Sequence, residues 1–393
     1  MQVQMSLRVG LASLLCLILP AISRGEEIHV ANDSELIAAV RAAKPGQQIL
    51  LAPGNYRGDI SAGSPQGTAD APIVIAAADA AEPPVISGGS VGLFASSPQY
   101  FELHNLVFEN ARDNGLNIDD SGSVDKPSRG LVLQGLVVRK VGAKGNRDGI
   151  KLSGVDDFKI SNCQVESWGA SGSAIDMVGC HRGVIEGCKF TGDRSSNSVG
   201  VQAKGGCSQI AVRRCRFEDV GGRGVNLGGS TGLPFFRPKD ANYEAKDITV
   251  EDCEFIGGDA AVAFVGVDGA LVQHNTIYRP GRWVLRILQE NTAPRFVASR
   301  NGRFLKNAVV LRADEVRQVA NVGGDTKPES FEFAGNVWHC LDAADSRRLV
   351  QLPTAETDGV YNRRLELADP EQGDLSIKNR TDDDAGVRAA TAE

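Results

Sequence analysis

Polar side chains recur at one place in a repeated phrase. Seven short segments (115–118, 149–152, 174–177, 200–203, 224–227, 261–264 and 284–287) each follow a turn. Strand alternation sends Leu116, Ile150, Ile175, Val201, Val225, Val262 and Leu285 to one side. The other side receives Asn117, Lys151, Asp176, Gln202, Asn226, Ala263 and Arg286. The residues just before the apolar ones are Gly, Gly, Ala, Gly, Gly, Ala and Val, which predicts a smooth outward floor beside a polar row. A flat sugar chain can lie along such a strip. Lys151, Asp176, Gln202, Asn226 and Arg286 are therefore candidate substrate contacts. Arg282 joins them, because Arg282 and Arg286 flank Trp283 as the densest cationic feature beside the row. An insertion at 229–246 adds Arg237, with Phe235, Phe236 and Tyr243 either stacking on sugar rings or packing down on the exterior. Asp148 and Asp176 are candidate ligands for one metal ion, or salt partners for Lys151 and Arg286. Glycosidic hydrolysis would need carboxylates gathered at one point. The adjacent pairs Asp119-Asp120 and Asp156-Asp157 face opposite ways on a strand and lie near turns, where aspartate is a turn residue. No Cys/His spacing suggests zinc. The glycine-rich stretch 221–232 falls at coil turns, which disfavours a phosphate loop.

The elements that must position these residues are short strands. Cys163, Cys188, Cys215 and Cys253 sit in one recurring phrase after mostly alternating apolar runs. The same slot is filled by Leu106 and Leu136 upstream and by Asn275, Asn307 and Asn336 downstream, with successive slots 22 to 38 residues apart. A period of that length, built from alternating strands and Gly/Asn/Asp turns, predicts a solenoid. No helical stretch of useful length interrupts it, which disfavours βαβ folds. The expected fold is all-β, a single-stranded right-handed parallel β-helix with an N-terminal capping helix. Equivalent residues then stack about 4.8 Å apart along the axis. The slot becomes an interior ladder in which cysteine acts as a small hydrophobe and asparagine amides satisfy one another. Disulfides between neighbouring coils are the alternative.

Asn32 caps a helix bearing Leu36, Ile37 and Val40, which covers the exposed first coil. The run at 9–22 is apolar and too short for a stable span, so residues 1–25 read as a signal peptide. Residues 26–340 read as the capped β-helix and 341–393 as an irregular C-terminal segment with a polar tail. The 393 residues carry 42 basic and 49 acidic side chains, net −7, which argues against a nucleic-acid partner. No later run is long enough to span a membrane. The protein is expected to be secreted or periplasmic, and a monomer.

The stretch LIAAVRAAKPGQQILLAPGNYRG, followed by these coils, resembles the pectate-lyase-like β-helix superfamily and within it the alginate lyase and chondroitinase B family. The resemblance implies a carbohydrate-active protein that cleaves an acidic, uronic-acid-containing polysaccharide by β-elimination. That superfamily also contains glycoside hydrolases, epimerases and non-catalytic binding proteins, which are the alternatives here. Lys204 matches the position of the family's catalytic lysine. One coil later, the family arginine is replaced by Gly228, and Arg223 stands before the strand instead. Lys204 is then the expected base, with Arg223 beside it lowering its proton affinity and stabilising the enolate. Asn197 and Val199 occupy the family's calcium-glutamate positions. Ca2+ thus rests on Asp148 and Asp176, and neutralisation of the substrate by Arg223, Arg282 and Arg286 is the preferred reading.

Overall fold

The structure is a computed structural model and describes residues 25–143, 145–316, 318–380 and 385–388. The apolar run expected to direct export lies outside the described residues. Beyond it the chain winds through three long parallel sheets, visiting them in the same order on successive coils. The first sheet runs from Glu27–Val30 to Glu332–Ala334, the second from Asn55–Arg57 to Val337–Cys340, and the third from Ile60–Ser61 to Ala320–Val322. This is the expected β-helix.

From Asn105 onward each coil turns from the first to the second sheet through one left-handed residue placed just before the ladder slot. Asn105, Asn162, Arg214, Asp252, His274 and Lys306 hold φ between 51° and 54° there, and Gly135, Gly187 and Gly335 hold 62°. Such a φ is uncommon for a side-chain-bearing residue, and Asn and Asp tolerate it best. The slot residues themselves are buried. The seven described cysteines are free thiols, so the ladder is packed rather than cross-linked. Burial pushes the Cys207 and Cys215 thiols well above their usual pKa. The Cys253 N–H donates to Asn275 Oδ1 at 2.9 Å. Asn275 Nδ2 donates to Asn307 at 2.9 Å, and Asn307 Nδ2 to Asn336 at 3.0 Å. The amide ladder thus begins where the thiol ladder ends.

The capping helix spans Asp33–Ala42, and the Asn32 side chain accepts from the Glu35 N–H at 3.1 Å. Leu36, Ala39 and Val40 are buried, whereas Ile37 is 43% exposed. Ile37 therefore leaves the expected apolar face, because one helical step of about 100° carries it past the edge of the 36/40 stripe. Among the described residues no helix is long and apolar enough to cross a membrane. At the other end, Leu367–Asp369 and Asp374–Ile377 form an antiparallel hairpin within the stretch expected to be irregular. Leu365, Leu375 and Ala385 cover Tyr278, Ala308, Val310 and Val337 on the outside of the second sheet.

Candidate active site

The polar row forms in the expected register. Asn117, Lys151, Asp176, Gln202, Asn226, Ala263 and Arg286 are successive partners across the third sheet, and Asn321 extends the row. The smooth floor does not form. A Cβ on Gly115 would meet Val138, and on Gly149 it would meet Val165, both core side chains of the second sheet. Phe217 and Phe255 stand in the same way against Gly200 and Gly224. Ala174, Ala261 and Val284 in this column are buried together with Ile175, Val262 and Leu285. Two consecutive residues thus turn inward at the start of each strand, a local break in alternation. The small residues serve close packing at the bend, and the break turns the residue before them outward. That is how Arg223 and Trp283 reach the groove face despite having the parity of interior positions.

Four charged groups form one chain across three coils. Asp148 Oδ2 lies 3.0 Å from Lys151 Nζ, which lies 2.6 Å from Asp176 Oδ2. Asp176 Oδ1 lies 3.0 Å from Lys204 Nζ, an ion pair without hydrogen-bond alignment. Burial works to raise the Asp176 carboxyl, but Lys204 and Lys151 outweigh it and hold its pKa below the ordinary value. Asp148 goes the other way, pushed up by burial and then by the neighbouring Asp176 charge. Burial opposes the Lys151 ammonium, yet Asp176 and Asp148 overcome this and raise its pKa. The calcium expectation meets a correction here. The Lys151 ammonium occupies the place between the two carboxylates, so Asp148 and Asp176 do not fit a metal ion. Among the described residues no group of three His, Cys, Asp or Glu side chains is arranged to hold one.

Lys204 and Arg223 are not neighbours along the strand, contrary to expectation. Arg223 is in register with Val199 at the start of the preceding strand, while Lys204 ends that strand. The Arg223 guanidinium swings to Asn226 Oδ1 at 3.0 Å and to Glu290 at 3.0 Å. Asn226 Nδ2 donates to the Gly228 carbonyl at 3.2 Å, and Gln202 accepts from the Ser173 hydroxyl at 3.2 Å. Further along, the guanidinium carbons of Arg282 and Arg286 both lie 4.2 Å from the Trp283 ring centroid. Arg282 pairs with Asp259 at 3.2 Å, and Arg286 Nε donates to Asn321 at 3.0 Å.

Loops leaving the third sheet wall one side of the row. Arg237 belongs to this wall and not to the groove, which corrects its assignment as a substrate contact. Its guanidinium grips both oxygens of Asp156, at 2.6 and 2.8 Å, and reaches the carbonyls of Gly179 and Val124. Phe236 is fully buried against Phe296, with Arg295 over both rings. Phe235, in the short 3-10 turn Leu233–Phe235, is 70% exposed. Tyr243 lies beneath the Lys246 ammonium. Two carboxylates escaped the sequence reading. Glu244 is fully buried and accepts from the Gly205 and Thr231 N–H groups at 2.8 Å, clamping the residue after Lys204 to the loop. Glu290 anchors Arg223 from 67 residues away. Neither carries a local motif that would have marked it.

Residues 90–277 match the family model described as the right handed beta helix region. No curated protein matches the chain. Among solved structures, an alginate lyase from Paenibacillus sp. str. FPU-7 is 19% identical with a TM-score of 0.50, the match covering 80% of this chain and 98% of that one. A rhamnogalacturonan lyase is 12% identical with a TM-score of 0.51, covering 79% and 87%. The lacto-N-biosidase from Eubacterium ramulus is 13% identical with a TM-score of 0.53, covering 81% and 68%. At these identities the likeness is one of fold. In keeping with the superfamily resemblance read from its sequence, the chain is a right-handed parallel β-helix protein.

Proposed function

We propose that the protein binds an acidic polysaccharide along the third sheet and cleaves it by β-elimination. The observation that carries this reading is the Lys204–Asp176 pair: an amine at the groove surface, 17% exposed, anchored on a carboxylate that is itself almost fully buried. Elimination needs a proton acceptor and a cation for the substrate carboxylate. The Lys204 ammonium first releases its proton to solvent, against the hold of Asp176, and the neutral amine then takes the proton from the carbon next to that carboxylate. The electron pair left behind forms the carbon–carbon double bond as the glycosidic C–O bond breaks. The leaving oxygen takes a proton from solvent, and Asp176 holds the resulting ammonium. Arg223, whose guanidinium lies against Asn226 on the adjacent coil, neutralises the substrate carboxylate by exchanging its Glu290 partner for it. Hydrolysis would need two carboxylates flanking the bond. Beside Lys151, Asp148 and Asp176 are both buried and both committed to its ammonium. Export, expected from residues 1–25, would bring the protein to such polymers, where it would act as a monomer.

Incubation with alginate, pectate and glycosaminoglycans, with and without calcium, tests the reading through the ultraviolet absorbance of unsaturated uronate. One of these polymers is expected to yield that product without calcium. New reducing ends without the absorbance would establish a hydrolase, and binding without turnover a non-catalytic polysaccharide-binding protein.

A further inference from the structure

Arg286 differs from every other cation of the row. Lys151, Lys204, Arg223 and Arg282 each have a carboxylate within ion-pair distance. Among the described residues Arg286 has none, and its hydrogen bond to Asn321 uses only Nε. Its two terminal nitrogens, the fork that fits a carboxylate in a bidentate grip, have no partner there. The neighbourhood is also short of negative charge. Three guanidinium groups, Arg223, Arg282 and Arg286, share two carboxylates, Glu290 and Asp259. Burial, followed by repulsion from Arg223 and Arg282, holds the Arg286 pKa below the usual arginine value. A half-buried cation in this position gains most from an arriving anion. The Trp283 ring, 4.2 Å from the guanidinium carbons of both Arg282 and Arg286, braces the two cations.

We propose that Arg286, braced by Trp283 and Arg282, is a separate subsite for a carboxylate on the polymer, remote from the sugar that reacts at Lys204. From Gln202 on the Lys204 coil, the row passes Asn226 and Ala263 before reaching Arg286. Three coil spacings of about 4.8 Å place the subsite about 14 Å along the axis. One sugar cannot contact both points, so the ligand must be an oligomer that carries acid groups on more than one unit. This inference rests on the acidic-polysaccharide reading and adds a length and charge requirement to it.

Trp283 supplies the readout, since Trp168 and Trp338 are both buried. Uronate tetramers prepared from alginate and from pectate are titrated while tryptophan emission is followed, with cellotetraose as the neutral control. A saturable change is expected with a uronate tetramer, none with cellotetraose, and none in Trp283→Phe. Arg286→Gln should weaken binding at least tenfold and Arg286→Lys less. Equal binding by parent and Arg286→Gln in calorimetry overturns the subsite, as does tetramer binding that leaves Trp283 emission unchanged. Failure of every uronate tetramer to bind overturns both this inference and the functional reading. Arg286-dependent binding without turnover upholds the subsite and removes only the lyase chemistry. Thermal unfolding shows whether Arg286→Gln is folded; if it is not, the parent and Arg286→Lys proteins decide the question.

Discussion

Lys204 reaches back across one coil to Asp176, with Nζ 3.0 Å from Oδ1, although the residue in register with Asp176 is Gln202. The diagonal places an ammonium on each side of one buried carboxylate, with Lys151 on the other flank. Removing that carboxylate leaves two like charges facing each other. Asp176→Asn should therefore destabilise the fold by about 3–5 kcal/mol, the usual cost of breaking a buried ion pair from one side. Denaturant unfolding measures it. A loss below 1 kcal/mol would show that the pair is effectively solvated.

Lys204→Ala should lower turnover at least a hundredfold, as expected when a general base is lost, and should also cost stability, because the buried Asp176 carboxylate then keeps only Lys151 as a partner. Steady-state assays on the polymer that responds best provide the test. Turnover within a few-fold of the parent enzyme would remove Lys204 from the chemistry.

The thiol ladder predicts slow labelling. Cys163, Cys180, Cys188, Cys207, Cys215 and Cys253 should react with a thiol reagent only after denaturation, since all are buried. Cys215→Ser should cost about 1–3 kcal/mol, because a hydroxyl replaces a thiol in an apolar stack. Disulfide-linked peptides among these six would contradict the packing.

The loop wall should be stable to moderate acid. Burial works to raise the Asp156 carboxyl, but the hydrogen bonds and charge of Arg237 prevail, and its folded pKa lies below the ordinary value. A depressed folded pKa means that the stabilisation is complete above the unfolded value of about 3.9 and disappears as pH falls through the lower folded value. Hydrogen exchange of residues 229–244 should stay protected from neutral pH down to about pH 4 and then rise. Asp156→Asn should raise exchange at neutral pH. An unchanged exchange pattern in that variant would show that Phe236 and Glu244 hold the loop without the arginine.

The amino-acid sequence alone determined the coil repeat, the slot ladder and the outward row. Strand alternation has a period of two residues and each turn recurs in kind, so residues 117 to 286 fall into one column by local rules. Alternation misled only where the strand bends. The small residues of the supposed floor turn inward against Val138, Val165, Phe217 and Phe255, and Arg223 turns outward against its parity. Tertiary structure alone decided the partners of the long charged side chains. Arg237 meets Asp156 from 81 residues away, Arg223 meets Glu290 from 67, and the Lys151 ammonium fills the gap assigned to calcium. A charged group reaches several ångströms beyond its own Cα, so its neighbours are set by the stacking of coils and loops, which no local periodicity records.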